Sequence, residues 1–121
     1  MYIMITMTDP IFSCYLLELQ ENKFYAGSTL TNQVEFRFKK HKEGLGAKWC
    51  YRYKPIRIIK TWHNLTSEQA FSKEHSVCIG TMLQHEDLDS CRGGTFNFPF
   101  TGKYWWVPRI LAHLIPKDSS L

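Results

Sequence analysis

Residues 13–28 read Ser13-Cys14-Tyr15-Leu16-Leu17-Glu18-Leu19-Gln20-Glu21-Asn22-Lys23-Phe24-Tyr25-Ala26-Gly27-Ser28, and this stretch decides the fold. Phe12 to Leu19 is apolar and aromatic enough to be a strand. Gln20-Glu21-Asn22 reads as a tight turn and Lys23 to Ser28 as the returning strand, so the segment predicts a β-hairpin. Its two tyrosines, Tyr15 and Tyr25, stand ten residues apart on neighbouring strands. A strand tyrosine taken alone is a half-buried β-former with its hydroxyl at the surface. Gly27 lets the backbone approach another segment closely.

Outward from the hairpin, Asn32 followed by Glu35 has capping-box-like spacing and predicts a helix start. Val34 and Phe38 lie one turn apart and mark a buried face, while Arg37 and His41 share a face of their own. Gly44 and Gly46 end this helix. Pro55 precedes a third strand, Ile56 to Trp62. A second helix begins near Thr66, where Thr66 and Gln69 again have capping-box spacing. Ala70, Phe71, Val77 and Cys78 mark its inward face. Glu74 falls among them, and a carboxylate on an apolar helix stripe is costly unless a partner or a metal ion meets it. Residues 1–10 are a short lead-in. Beyond Gly80 lies an extension with an aromatic cluster (Phe96, Phe98, Phe100, Tyr104, Trp105, Trp106) and a last short helix opened by Pro108.

The 121 residues fit one domain, with 44% hydrophobic and 15% aromatic residues, so the chain can build a core and is not disordered by composition. Fifteen Lys+Arg against 11 Asp+Glu give a net charge of +4, compatible with a polyanionic partner without requiring one. No apolar run approaches the roughly 18 residues of a membrane span. No secretory leader pattern is evident, and Cys14, Cys50, Cys78 and Cys91 form no C-x-x-C pair. The expectation is reduced thiols in a cytoplasm, whether the cell's own or that of a phage host. A zinc site from His75, Cys78, His85 and Cys91 fits no common spacing, and the plainer reading is small buried hydrophobes.

Several side chains carry chemistry. Arg37 offers a planar fork suited to phosphate, although a helix arginine is usually a solvated charge. His41 is either a solvent-facing imidazole at a helix end or a proton-transfer group one turn from Arg37. Glu74 could hold a hard cation. Lys48, Arg52, Lys54, Arg57 and Lys60 interleave with Trp49, Tyr51, Tyr53 and Trp62, as either a solvated sheet edge or a surface that tracks a nucleic-acid backbone and stacks bases. Arg92, beside Gly93 and Gly94, reads as a loop arginine that either extends this basic face or is simply solvated.

As a set, these residues resemble the GIY-YIG endonuclease domain, nearest its small single-domain bacterial and phage branch. Ser13-Cys14-Tyr15 stands at the first motif, matching only its tyrosine, and Tyr25-Ala26-Gly27 at the second. Val34 to His41, Gly44-Leu45-Gly46-Ala47-Lys48 and Ala70-Phe71-Ser72-Lys73-Glu74 follow in the family's order, so the resemblance covers about residues 12–80. It implies an α+β fold: a three-stranded antiparallel sheet flanked by helices, here with a C-terminal aromatic-rich extension. It implies a metal-dependent endonuclease that hydrolyses DNA with one Mg²⁺ or Mn²⁺ ion held by Glu74. Arg37 would bind the scissile phosphate, Tyr15 would position the attacking water with Tyr25 in support, and His41 would assist. Lys48, Arg52 and Arg92 are candidate DNA contacts. Products with a 5′-phosphate and a 3′-hydroxyl are the family expectation. An inactive nucleic-acid-binding module of the same fold is the alternative, and an interaction protein docking through Trp105-Trp106 is a third reading.

Overall fold

A computed structural model describes residues 11–94 of the chain. The lead-in, the aromatic cluster from Phe96 to Trp106 and the helix at Pro108 lie outside the described residues.

The hairpin forms as the sequence predicts. Strand β1 (Phe12–Leu19) pairs antiparallel with β2 (Lys23–Leu30), in a register that places Tyr15 opposite Gly27 and Leu17 opposite Tyr25. The connection Gln20–Asn22 is a single 3-10 turn in which Glu21 and Asn22 have φ near 61° and 60°. Strand β3 (Pro55–Leu65) pairs antiparallel with the other edge of β1. Among the described residues the sheet has four strands rather than three, in the order β3-β1-β2-β4. The additional strand β4 (Cys91–Gly93) runs parallel to β2, pairing Tyr25 with Arg92 and Ala26 with Gly93. Three residues, Cys91-Arg92-Gly93, followed by a second glycine carry no strand signal. Glycine is nevertheless what the pairing needs: Gly93 has φ 149°, and a Cβ there would lie 2.2 Å from the Ala26 carbonyl oxygen.

Because side chains alternate along a strand, the sheet sorts its residues onto two faces. Phe24 and Ala26, with Leu16, pack against Cys78 and Met82 of the long helix α3 (Ser67–Gln84). Tyr15, Leu17, Leu19 and Tyr25 pack on the opposite face against Val34 and Phe38 of α1 (Val34–Lys42) and Cys50 of α2 (Lys48–Arg52). The four cysteines are free and buried, as small apolar core residues.

Helix α3 starts as its sequence predicts. The Thr66 hydroxyl accepts from Gln69 N–H at 3.1 Å, and the Gln69 side chain accepts from Thr66 N–H at 3.0 Å. Helix α1 does not. Its N-cap is Gln33, with no side-chain cap, and a 3-10 turn over Thr31–Gln33 displaces the expected Asn32–Glu35 box. The Thr31 hydroxyl bonds the buried Ser13 hydroxyl instead, at 2.8 Å. Lys48 to Arg52 is helix rather than part of an extended basic stretch. Phe71, expected to face inward, is 49% exposed, and Thr81 and Met82 complete the buried stripe. Replacing Thr66 by Ala removes the reciprocal cap of α3. It should lower unfolding stability by about 1 kcal/mol in urea titrations without changing the denaturant slope, and an unchanged midpoint would show that packing alone fixes the start of α3.

Candidate active site

The site is assembled where the hairpin meets α1. Tyr15 and His41 are both buried, and the Tyr15 hydroxyl lies 3.0 Å from His41 Nε2. Tyr25 closes the group, its ring 5.1 Å from that of His41 and 6.5 Å from that of Tyr15. Two glycines make room for it. A Cβ on Gly27 would stand 2.6 Å from the Tyr15 hydroxyl oxygen, and one on Gly46 only 2.0 Å from His41 Nδ1. Both obstacles are buried and hemmed in, so neither glycine tolerates a side chain.

The hydrogen bonds fix the state of His41. Ala47 N–H donates to Nδ1 at 3.2 Å, so Nδ1 is an acceptor and carries no proton. The ring's proton is therefore on Nε2, which donates to the Tyr15 hydroxyl oxygen. Burial, reinforced by the nearby Arg37 charge, pushes the imidazole down to about 4, so it is neutral at physiological pH. Burial pushes the Tyr15 phenol up to about 12 against the opposing pull of Arg37, and burial also raises Tyr25. His41 is thus a neutral donor held under Tyr15, not a solvent-facing helix-end residue.

Arg37 comes one turn before His41 and is half-buried. With Tyr25, Gly46, Ala47 and Lys48 it lines an open cleft of about 470 Å³. Glu74 approaches from α3. It is half-buried rather than enclosed in the apolar stripe, and it has protein partners: the Ser28 hydroxyl donates to Oε2, and Gly94 N–H donates to Oε1 at 3.1 Å. Its charge reaches both tyrosines, raising them, while that of Arg37 lowers them. Tyr15, Tyr25, Arg37, His41 and Glu74 thus share one electrostatic neighbourhood.

The candidate DNA contacts divide. Lys48 is exposed at the cleft, and Arg52, also exposed, lies one turn further along α2 outside its lining, with its guanidinium 5.3 Å from the Tyr53 ring. Arg92 is a correction. It is 1% exposed in β4, bonded to the Leu88 and Cys91 carbonyls and to Asp89 at 2.9 Å, with its guanidinium over the Trp49 ring. It braces the end of the sheet and presents no solvated phosphate-binding face. The zinc grouping does not form. Among the described residues no three His, Cys, Asp or Glu side chains gather as a metal site, and His85 stacks on Phe24 while Cys78 and Cys91 are buried together. Sequence reasoning missed Ala47 and Ser28, and it read Gly46 only as a helix stop.

The GIY-YIG catalytic domain model matches residues 11–78. The chain belongs to the GIY-YIG family. The domain is of nuclease type, and the GIY-YIG nucleases act on DNA. The chain is 34% identical over 83 residues to a UPF0213 protein of Halalkalibacterium halodurans, covering 69% of this chain and 86% of that one. It is 33% identical over 69 residues to a UPF0213 protein of Cupriavidus necator, covering 57% and 73%. No solved structure matches it. Among the described residues no helix is long and apolar enough to cross a membrane.

The depressed His41 has a consequence for stability. The unfolded imidazole takes up a proton near 6.5, while the folded one waits until about 4. The unfolded chain therefore binds the extra proton in this window, and stability present above pH 6.5 is lost as pH falls towards 4. The loss should reach about 3 kcal/mol. Urea unfolding of wild type and His41→Gln at pH 7 and pH 4.5 measures it. The wild type should lose more than the variant over this interval, and equal losses would mean that His41 is not buried neutral.

Proposed function

We propose that this chain is a divalent-metal-dependent endonuclease that hydrolyses DNA phosphodiester bonds with a single metal ion. The observation that carries the proposal is that Arg37 and Glu74, from two different helices, both act on the Tyr15 phenol that His41 holds by a hydrogen bond. A structural role alone does not call for an arginine and a carboxylate beside two buried phenols.

Glu74 fits a hard cation. Ser28 and Gly94 occupy two of about four lone-pair positions on its carboxylate and hold it in place, leaving the others for an ion. Mg²⁺ or Mn²⁺ is commonly held by one or two carboxylates with water and phosphate oxygens completing the shell. Such an ion, when bound, offsets phosphate charge and stabilises the leaving oxygen. The chain's own residues supply the rest. Arg37 binds the scissile phosphate through its planar fork and steadies the charge that grows during attack. The Tyr15 hydroxyl oxygen accepts from His41 Nε2–H and from the Arg37 side chain, so what it offers the attacking water is its own O–H, which positions the water oxygen. The water's proton leaves to solvent as it attacks, Tyr15 keeps its own proton, and His41 Nε2–H holds the phenol in the orientation that keeps the water in place. Tyr25 keeps bulk water from this bond, and Lys48 extends the cationic wall of the cleft towards the DNA backbone.

A Mg²⁺-dependent nicking assay on plasmid DNA tests the proposal. Glu74→Ala should abolish cleavage while DNA affinity stays within about a few-fold, because the metal rather than a phosphate contact is lost. Arg37→Lys should recover only part of the rate lost in Arg37→Ala, since it keeps the charge without the fork. Tyr15→Phe should slow single-turnover cleavage while melting as wild type does. Wild-type rates in Glu74→Ala would contradict the proposal.

A further inference from the structure

Of the four aromatics in the basic stretch, the structure separates out Trp62. Trp49 is committed to the core: its indole N–H donates to the Phe24 carbonyl at 2.9 Å, and its ring meets Tyr53 and the Arg92 guanidinium. Trp62 is half-exposed and belongs to neither core cluster. Two cations attend it, Lys60 Nζ at 5.2 Å and Lys73 Nζ at 5.3 Å from the ring centroid. It forms one wall of an open groove of about 580 Å³ that His63, Asn64, Gln69, Ser72 and Lys73 also line, with no acidic side chain in the lining among the described residues.

Register places this groove beside the candidate active site. Trp62 pairs with Cys14 on β1, and Cys14 pairs with Ser28 on β2. Directly paired residues share a face of a sheet, so Trp62, Cys14 and Ser28 form one row across three strands on the α3 side. At the far end of that row Ser28 holds Glu74. Lys73 and Glu74 are adjacent on α3, and both charges act on the Cys14 thiol, Glu74 raising it and Lys73 lowering it behind the dominant effect of burial. Two inter-strand spacings separate Trp62 from Ser28, about 10 Å. That is about three stacked base steps, or fewer for an extended strand.

We infer that Trp62, flanked by Lys60 and Lys73, is a stacking platform for an unpaired nucleotide of the DNA substrate, a few steps from the bond that Glu74 addresses. The inference rests on the DNA-cleaving reading of the neighbouring site and narrows its substrate to DNA with unpaired bases near the scissile bond, such as a flap, gap or branch. A half-exposed indole with two lysine ammonium groups over its ring suits a base that displaces a lysine from the ring face, the freed cations then meeting the phosphates on either side, and stacking is tolerant of sequence. In intact duplex the base faces are already occupied by their neighbours, so the platform has nothing to take.

Fluorescence polarisation in EDTA, with a labelled duplex and with the same duplex carrying a short single-stranded flap, tests this on the full chain. Trp62→Ala should weaken flap binding about tenfold or more and leave duplex binding within about twofold, while Trp62→Phe keeps most of the affinity. Lys60→Gln and Lys73→Gln should each make the salt dependence of flap binding shallower by about 0.7 in the logarithmic slope. Unchanged flap binding in Trp62→Ala, or an equal loss on both DNAs, overturns the inference, as does wild-type protein that binds neither. Because no metal is present, the two readings fail separately. Trp62-dependent flap binding without Mg²⁺-dependent cleavage leaves the platform standing and removes the nuclease reading. Cleavage that is indifferent to Trp62, with binding equally indifferent, removes the platform alone.

Discussion

The hydrogen bond from His41 to Tyr15 is the interaction around which the site is arranged. It joins the hairpin to α1, and it requires an imidazole taken out of water and kept neutral. Three features meet that requirement. Gly46 has no side chain, so the loop after α1 can lie against the ring, and Ala47 N–H then satisfies Nδ1. Gly27 has no side chain either, so the Tyr15 phenol can cross the strand to meet His41. A side chain at either glycine would push apart two buried aromatic groups. The glycine of the Tyr25-Ala26-Gly27 run therefore has a steric task.

Glu74 depends on a different part of the chain. It stands on α3, which covers the sheet face opposite Tyr15, and it reaches the site at the open end of β2. Ser28 anchors it from within the hairpin, but Gly94 anchors it from just beyond β4. Residues 91–94 lie outside the stretch matched by the family domain, yet they complete the sheet and orient the carboxylate. Arg92 secures that arrangement from within, since its guanidinium ties β4 to the turn before it and covers Trp49. A buried arginine with these partners is a fixed part of the scaffold; removing it would leave several acceptors unsatisfied.

Much of this was legible in the sequence, for identifiable reasons. The hairpin, the helical face shared by Arg37 and His41, and the Thr66–Gln69 cap follow from short-range rules of spacing and side-chain chemistry. The failures all involve tertiary competition. Thr31 could have helped cap α1, but its hydroxyl serves Ser13 instead, and Ser13 also meets His63 at 2.7 Å. Lys48 to Arg52 belongs to a basic stretch interleaved with aromatics, yet it coils into a short helix with Cys50 and Trp49 both turned to the core. Strand β4 is too short and too rich in glycine to be recognised without its partner, and with it went the true place of Arg92. Ser28 and Ala47 carry no sequence signal for their roles, because one acts through a hydroxyl at a strand end and the other through a backbone N–H.

The central claim is that His41 is held neutral as the Nε2–H tautomer and donates to Tyr15. Long-range ¹H–¹⁵N correlation spectra of the imidazole between pH 5 and pH 8 address it directly. The account predicts one unchanging pattern across that range, with a protonated Nε2 and a bare Nδ1. An imidazole that titrates near 6.5, or one protonated on Nδ1, would contradict it.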